Sequence, residues 1–153
     1  MVFRLHKISK LMQKDVKTIE EDEPISKAIE VMNFYKISCI VVTRKGSPTG
    51  IITERDLINR MLAKSKCTKK GKVKEVMTTP IVTKESNFPT SKIVKLMNDY
   101  MIRHVPIVNE GKVIGIVTQT DIVKYTQKAM RHREIALLTI VIMIIILINL
   151  VIR

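Results

Sequence analysis

The sequence predicts an α+β fold, with two tandem β-α-β-β-α repeats packed in pseudo-twofold symmetry and a C-terminal hydrophobic, transmembrane helix after them. Three observations carry this expectation. The chain resembles itself at a shift of 65 residues, each copy holds two β-branched runs joined by a glycine-containing turn, and residues 135–152 form an uncharged run of 18.

The repeat runs without a gap from Met12 to about residue 62 and makes 15 positions identical. Met12 pairs with Met77, Pro24 with Pro89, Met32-Asn33 with Met97-Asn98, Gly46 with Gly111, Gly50-Ile51 with Gly115-Ile116, Thr53 with Thr118 and Asp56 with Asp121. In the first copy Ile25, Ala28, Ile29, Val31 and Met32 recur at helical spacing after Pro24, a residue suited to a helix start. Residues 39–43 and 49–53 are short β-branched runs, and residues 44–48, with Gly46 and Pro48, form the turn of a hairpin. Residues 54–63 return to helical spacing through Leu57, Ile58, Met61 and Leu62. The second copy predicts a helix over 90–100, strands at 104–108 and 113–118, a turn at 109–112 and a helix from Gln119. Short extended pieces at 17–19 and 81–83 complete each unit.

A unit of this size buries too little apolar surface to be comfortable alone, so two copies are expected to pack sheet to sheet. The expected organisation is a first repeat over 1–64, a polar, basic linker over 65–72, a second repeat over 73–130 and the hydrophobic helix over 135–152.

Composition limits the function. The chain has 153 residues, 27 Lys plus Arg against 14 Asp plus Glu, and a formal charge of +13; 46% of residues are hydrophobic and there is no Trp. That aliphatic content excludes simple disorder. Catalysis finds little support, because His6, His104 and His132 are scattered and no His, Cys or Asp spacing offers a metal site. Cys39 and Cys67 show no CxxC spacing and the N-terminus has no signal-peptide core, so a reducing, cytoplasmic setting is expected for residues 1–133.

Gly50-Ile51-Ile52-Thr53-Glu54-Arg55-Asp56 and Gly115-Ile116-Val117-Thr118-Gln119-Thr120-Asp121 share one pattern: glycine, two aliphatics, Thr, two residues, Asp. In each, a strand ending in Thr places a hydroxyl and a carboxylate on the first turn of a helix. Free backbone N–H groups there favour an anion, and a carboxylate accepts both hydroxyls of a ribose. The same residues serve equally as helix N-caps with an acid in the first turn, which needs no ligand. The pattern resembles that of CBS domains, named from cystathionine β-synthase, whose tandem pairs are Bateman modules. The resemblance covers residues 12–127 and includes Val105-Pro106-Ile107-Val108 before the second hairpin turn.

What the resemblance implies is a non-enzymatic regulatory module. In that family AMP, ADP, ATP or S-adenosylmethionine binds in clefts between repeats; no cofactor is required and the adenosine-containing ligand is regulatory. By analogy Asp56 with Thr53 and Asp121 with Thr118 anchor ribose, Ile37, Ile81 and Val82 flank the base, and Arg103-His104 meets phosphate. The first repeat has Ser38-Cys39 where the second has Arg103-His104, so the clefts are expected to be unequal. Arg55 is either a compensating charge or an exposed helical arginine. The resemblance also implies a homodimer.

Residues 135–152 would span about 27 Å as a helix, close to a hydrocarbon core of about 30 Å. Lys124, Lys128, Arg131 and Arg133 precede the run and only Arg153 follows it. Under the positive-inside rule the repeat pair stays cytoplasmic at the cell membrane and the tail crosses once. The alternative is a hydrophobic helix buried in a dimer or partner. With no effector domain in this sequence, an unidentified membrane protein is expected to read the signal. Two other functions stay open: a nucleic-acid-binding protein using the basic residues of 60–74, and a ligand-free dimerising membrane scaffold.

Overall fold

A computed structural model describes residues 7–61 and 71–151; within its helices the side chains of 61, 129, 132, 133, 145, 146 and 149–151 fall outside the described set. The first repeat contains β1 (Thr18–Glu20), α1 (Ile25–Tyr35), β2 (Cys39–Arg44), β3 (Ser47–Thr53) and α2 (Glu54–Asp56), which continues as a π-helical turn over Leu57–Met61. The second contains β4 (Lys84–Glu85), a 3-10 turn over Thr90–Lys92 leading into α3 (Ile93–Asp99), then β5 (His104–Asn109), β6 (Lys112–Thr118) and α4 (Gln119–Val151). Each repeat forms a three-stranded sheet, in the orders β1-β2-β3 and β4-β5-β6. The first pair of each sheet is parallel and the second antiparallel.

Local chemistry accounts for these elements. α1 buries Ile25, Ala28 and Met32, one stripe at spacings of three and four. It ends where Lys36 turns left-handed at φ 54°, and Met101 does the same at φ 51° after α3. Each hairpin turns on two residues of positive φ, Lys45-Gly46 and Glu110-Gly111, a turn geometry that matches strand twist. These turns are tighter than the predicted 44–48 and 109–112, so the strands extend further. Pro48 is therefore inside β3, tolerated because the register shifts between Val42 and Thr43. The extended piece predicted over 81–83 is displaced to the two residues of β4.

The two cores exchange segments. Val73 and Val76, at the start of the second repeat, are fully buried with Ile19, Ile25, Ile40 and Ile52 in the first core. Ile8 and Leu11, at the start of the first repeat, pack with Ile93, Val105, Ile107 and Val117 in the second. Backbone bonds fix both crossings: Gln13 pairs with Ile116 at the edge of β6, and Thr78 with Ile51 at the edge of β3. Outside the core, Lys72 and Lys74 reach Asp22 at 2.9 and 2.8 Å and hold its carboxyl down at about 2.

These crossings explain the repeated Gly50 and Gly115. A Cβ on Gly50 would lie 2.5 Å from the Met77 sulfur and 3.0 Å from the Thr78 carbonyl; one on Gly115 would meet Met12 at 2.5 Å and the Gln13 carbonyl at 3.0 Å. Methionine and glycine therefore repeat as partners across the two halves.

α4 leaves the second repeat without a break. Ile122 anchors its first turns in the core, whereas Ile135, Leu138 and Ile142 are each more than half exposed. The expected membrane span over 135–152 runs onto residues outside the described set, and among the described residues no helix is long and apolar enough to cross a membrane.

Candidate functional site between the repeats

The motif threonines end β3 and β6, and each aspartate lies in the helical turn that follows. Thr53 and Asp56 form a reciprocal cap: the Thr53 backbone N–H and hydroxyl donate to Asp56 Oδ2 at 3.0 and 2.7 Å, and the Asp56 N–H donates back at 3.2 Å. Thr118 and Asp121 repeat it at 2.8, 2.7 and 3.2 Å. The capping role deduced from spacing is therefore real in both motifs, and it leaves Oδ1 of each aspartate outside the cap.

Those second oxygens are bonded differently. Asp56 Oδ1 accepts from the Thr78 hydroxyl at 2.9 Å and lies 3.4 Å from the Arg60 guanidinium. Arg60 also donates to the carbonyls of Val76 and Met77 and to the Thr78 hydroxyl, so it clamps the incoming segment onto the first motif. Asp121 Oδ1 instead accepts from the Gln13 amide at 2.7 Å. Gln13 and Thr78 are equivalent under the 65-residue shift, each the first residue past its crossing methionine.

A cleft of about 380 Å³ opens where the first motif faces the second repeat. Its walls are Ser38, Ile51, Thr53, Glu54, Arg55, Asp56 and Thr78 on one side, and the Met101–His104 corner on the other. Of the residues singled out from sequence, Thr53, Arg55, Asp56, Arg103 and His104 are brought together here. Thr118 and Asp121 are not part of this wall, although Asp121 is close enough to His104 to act on its charge. Ile37 packs against the first core, and Ile81 and Val82 do not line the cleft.

Sequence reasoning passed over Ile51, Glu54, Thr78, Met101 and Ile102 as site residues, and gave Ser38 no role. The shift of 65 held a signal for two of them: Ser38 is the counterpart of Arg103, and Ile102 is the identical partner of Ile37. Thr78 carried none, because its place depends on the exchange of segments.

The cleft combines an apolar wall with charge of both signs. Arg55 and Arg103 are exposed cations at its rim, and Glu54 and Asp56 supply the acids. Burial pushes the His104 imidazole below its ordinary value and Arg103 pushes the same way, against an opposing pull from Asp121. His104 is thus mainly a neutral donor or acceptor near pH 7. At its equivalent position the Cys39 thiol is raised to about 11 by burial, with Glu54 adding to the effect, so it stays protonated. Such an arrangement suits a small ligand with an apolar ring, vicinal hydroxyls and an anionic end. Its volume lies at the small end of ligand pockets, which run from about 300 to 1,000 Å³.

Comparison with known proteins agrees with this architecture. The sequence profile of the CBS domain matches residues 8–63 and 73–128, well over half the chain, and the protein belongs to the CBS-domain family as a tandem pair. An uncharacterized protein of Methanopyrus kandleri is 36% identical over 124 residues, covering 76% of this chain and 61% of that protein. The inosine-5'-monophosphate dehydrogenase of Methanocaldococcus jannaschii is 36% identical over 120 residues, 77% of this chain but 23% of the enzyme. The chain thus spans less than two thirds of either relative. Among solved structures, a CBS-domain crystal structure superposes with a TM-score of 0.73 at 28% identity, covering 78% of this chain and 97% of that one.

Proposed function

We propose that this CBS pair is a regulatory, non-enzymatic module that binds an adenosine-containing ligand, AMP, ADP, ATP or S-adenosylmethionine, in the cleft between its repeats. The observation that carries this is the meeting of Thr53 and Asp56 from one repeat with Arg103 and His104 from the other around one opening. Ile51, Met101 and Ile102 offer apolar surface to a base. Asp56 accepts ribose hydroxyls once the Thr78 hydroxyl gives way, and Arg103 with Arg55 holds phosphate. Because the ligand touches both repeats, it favours one relative placement of them, by its difference in affinity for the two. Thr118 and Asp121 hold the matching place for a second, unequal cleft.

Binding of adenosine and AMP to the intact chain, compared with Arg103→Ala, tests the assignment of ends. The substitution is expected to weaken AMP roughly tenfold or more, the scale of one charge-assisted bond, while adenosine changes little. An equal loss for both ligands would contradict it.

The same reading places the pair at the cytoplasmic face of a cell membrane, anchored by α4, acting as a homodimer on a membrane protein. Its support is that Ile135, Leu137, Leu138, Ile140, Val141 and Ile142 are all at least half exposed, an apolar surface that continues round the helix. A ligand-free scaffold is favoured by one observation, that Asp56 already has protein partners on both oxygens.

A further inference from the structure

Where α4 passes from polar to apolar sequence, one side of it is strongly basic. Lys124, Gln127, Lys128, Arg131 and Ile135 line an open groove of about 510 Å³. Lys124, Lys128, Arg131, Ile135 and Leu138 follow one another at steps of four and three, which puts them on one helix face. All three cations are exposed, and from residue 122 to 133 there is no acid. Glu134 ends that run, about 60° around the helix from Arg131.

We propose that this face is a docking surface for anionic phospholipid headgroups, a basic collar at the level where the tail enters the bilayer. The inference rests on the reading of α4 as membrane-embedded and adds a lipid class to it. The axial positions carry it. With Ile135 at the edge of the hydrocarbon, Arg131 stands ~6 Å and Lys128 ~10 Å further out along the helix. The headgroup layer is roughly 5–8 Å deep on each side. Arg131 is therefore inside that layer, Lys128 reaches down into it with its flexible stem, and Lys124 lies about one screening length beyond it. Lipid phosphates bind Arg131 and Lys128 directly, with acyl chains lying against Ile135 and Leu138, and attract Lys124 at longer range. Each cation near such a surface contributes a factor of ~5 in association. The collar also holds the second repeat close to the membrane, since α4 continues without a break from β6.

The chain has no Trp, so Leu138→Trp gives a single reporter on the same face, just inside the hydrocarbon. The full-length variant is reconstituted in vesicles holding a trace of acyl-brominated phosphatidylglycerol or acyl-brominated phosphatidylcholine, and the quenching by each is compared. The expected result is a relative association constant about fivefold or more in favour of phosphatidylglycerol, falling to near unity in Lys124→Gln/Lys128→Gln/Arg131→Gln. These three substitutions touch no core residue. Equal quenching by both lipids, or a preference that survives the triple substitution, overturns the headgroup site while leaving the tail in the membrane, and gives the groove to an acidic protein partner. Quenching by neither lipid overturns the membrane reading and the headgroup site together.

Discussion

Replacing Asp56 by Ala removes the acceptor for the Thr53 cap and for the Thr78 hydroxyl and leaves Arg60 without its acid. Losing a helix cap costs about 1 kcal/mol, and the half-buried Thr78 contact adds to it. Asp121→Ala forfeits its cap and an exposed bond from Gln13, so Asp56→Ala is expected to be the more destabilising of the two in denaturant titration; the reverse order would contradict the clamp. Gly50→Ala tests a different restraint. Its Cβ would press on a flexible Met77 sulfur but also on the fixed Thr78 carbonyl, and overpacking of this kind costs about 1–3 kcal/mol, visible as a lowered Tm. A neutral result would show that the crossing segment yields. His104 contributes a pH dependence of known sign. Its folded value lies below 6.5 because of burial and Arg103, so the unfolded chain binds the proton more readily. His104 therefore leaves stability unchanged above pH 6.5 and lowers it as pH falls through 6.5 toward the folded value. Denaturation on either side of that pH is expected to show a smaller loss for His104→Asn than for the parent, and equal losses would count against it.

Among the elements, those with a strong local signal were legible. α1 showed its buried stripe in Ile25, Ala28 and Met32, and both hairpins showed β-branched runs around a repeated glycine. What sequence could not reveal depends on distant partners. β4 sits at Lys84–Glu85 rather than 81–83, as its register is set by pairing with Ile107 and Val108 on β5. Thr78 entered the cleft through a crossing segment, which has no periodicity to read. The crossing itself was the largest surprise, since Ile8 belongs to the first repeat and Val73 to the second in sequence, yet each is fully buried in the opposite repeat's core. Ile8→Ala is expected to destabilise by about 2–5 kcal/mol, as buried large-to-small changes do. The effect should fall first on the second repeat: amide exchange in β5 and β6 quickens more than in β2 and β3. Loosening of β2 and β3 instead would refute the exchanged packing.

For the molecule as a whole, the two repeats are held together by exchanged segments, while α4 carries an apolar surface that nothing in the described chain covers. The proposed anchor predicts that the full chain stays with membranes through carbonate extraction and that a chain ended after residue 130 does not; equal behaviour of the two would remove the anchor from the account. The candidate cleft was partly legible, because the matched Thr and Asp motifs and the basic Arg103-His104 pair could be located from the repeat, but which of them meet could not. Only the three-dimensional arrangement joins the first repeat's motif to the second repeat's corner and keeps Thr118 and Asp121 out of that wall. The central claim is ligand sensing by this cleft, and it is tested most directly by calorimetric titration of the full-length protein with AMP, ADP, ATP and S-adenosylmethionine, repeated on Asp56→Ala and Asp121→Ala. The account predicts saturable binding of at least one of these ligands, weakened at least tenfold by Asp56→Ala in a protein that remains folded. Absence of binding by all four to the folded parent chain would contradict it.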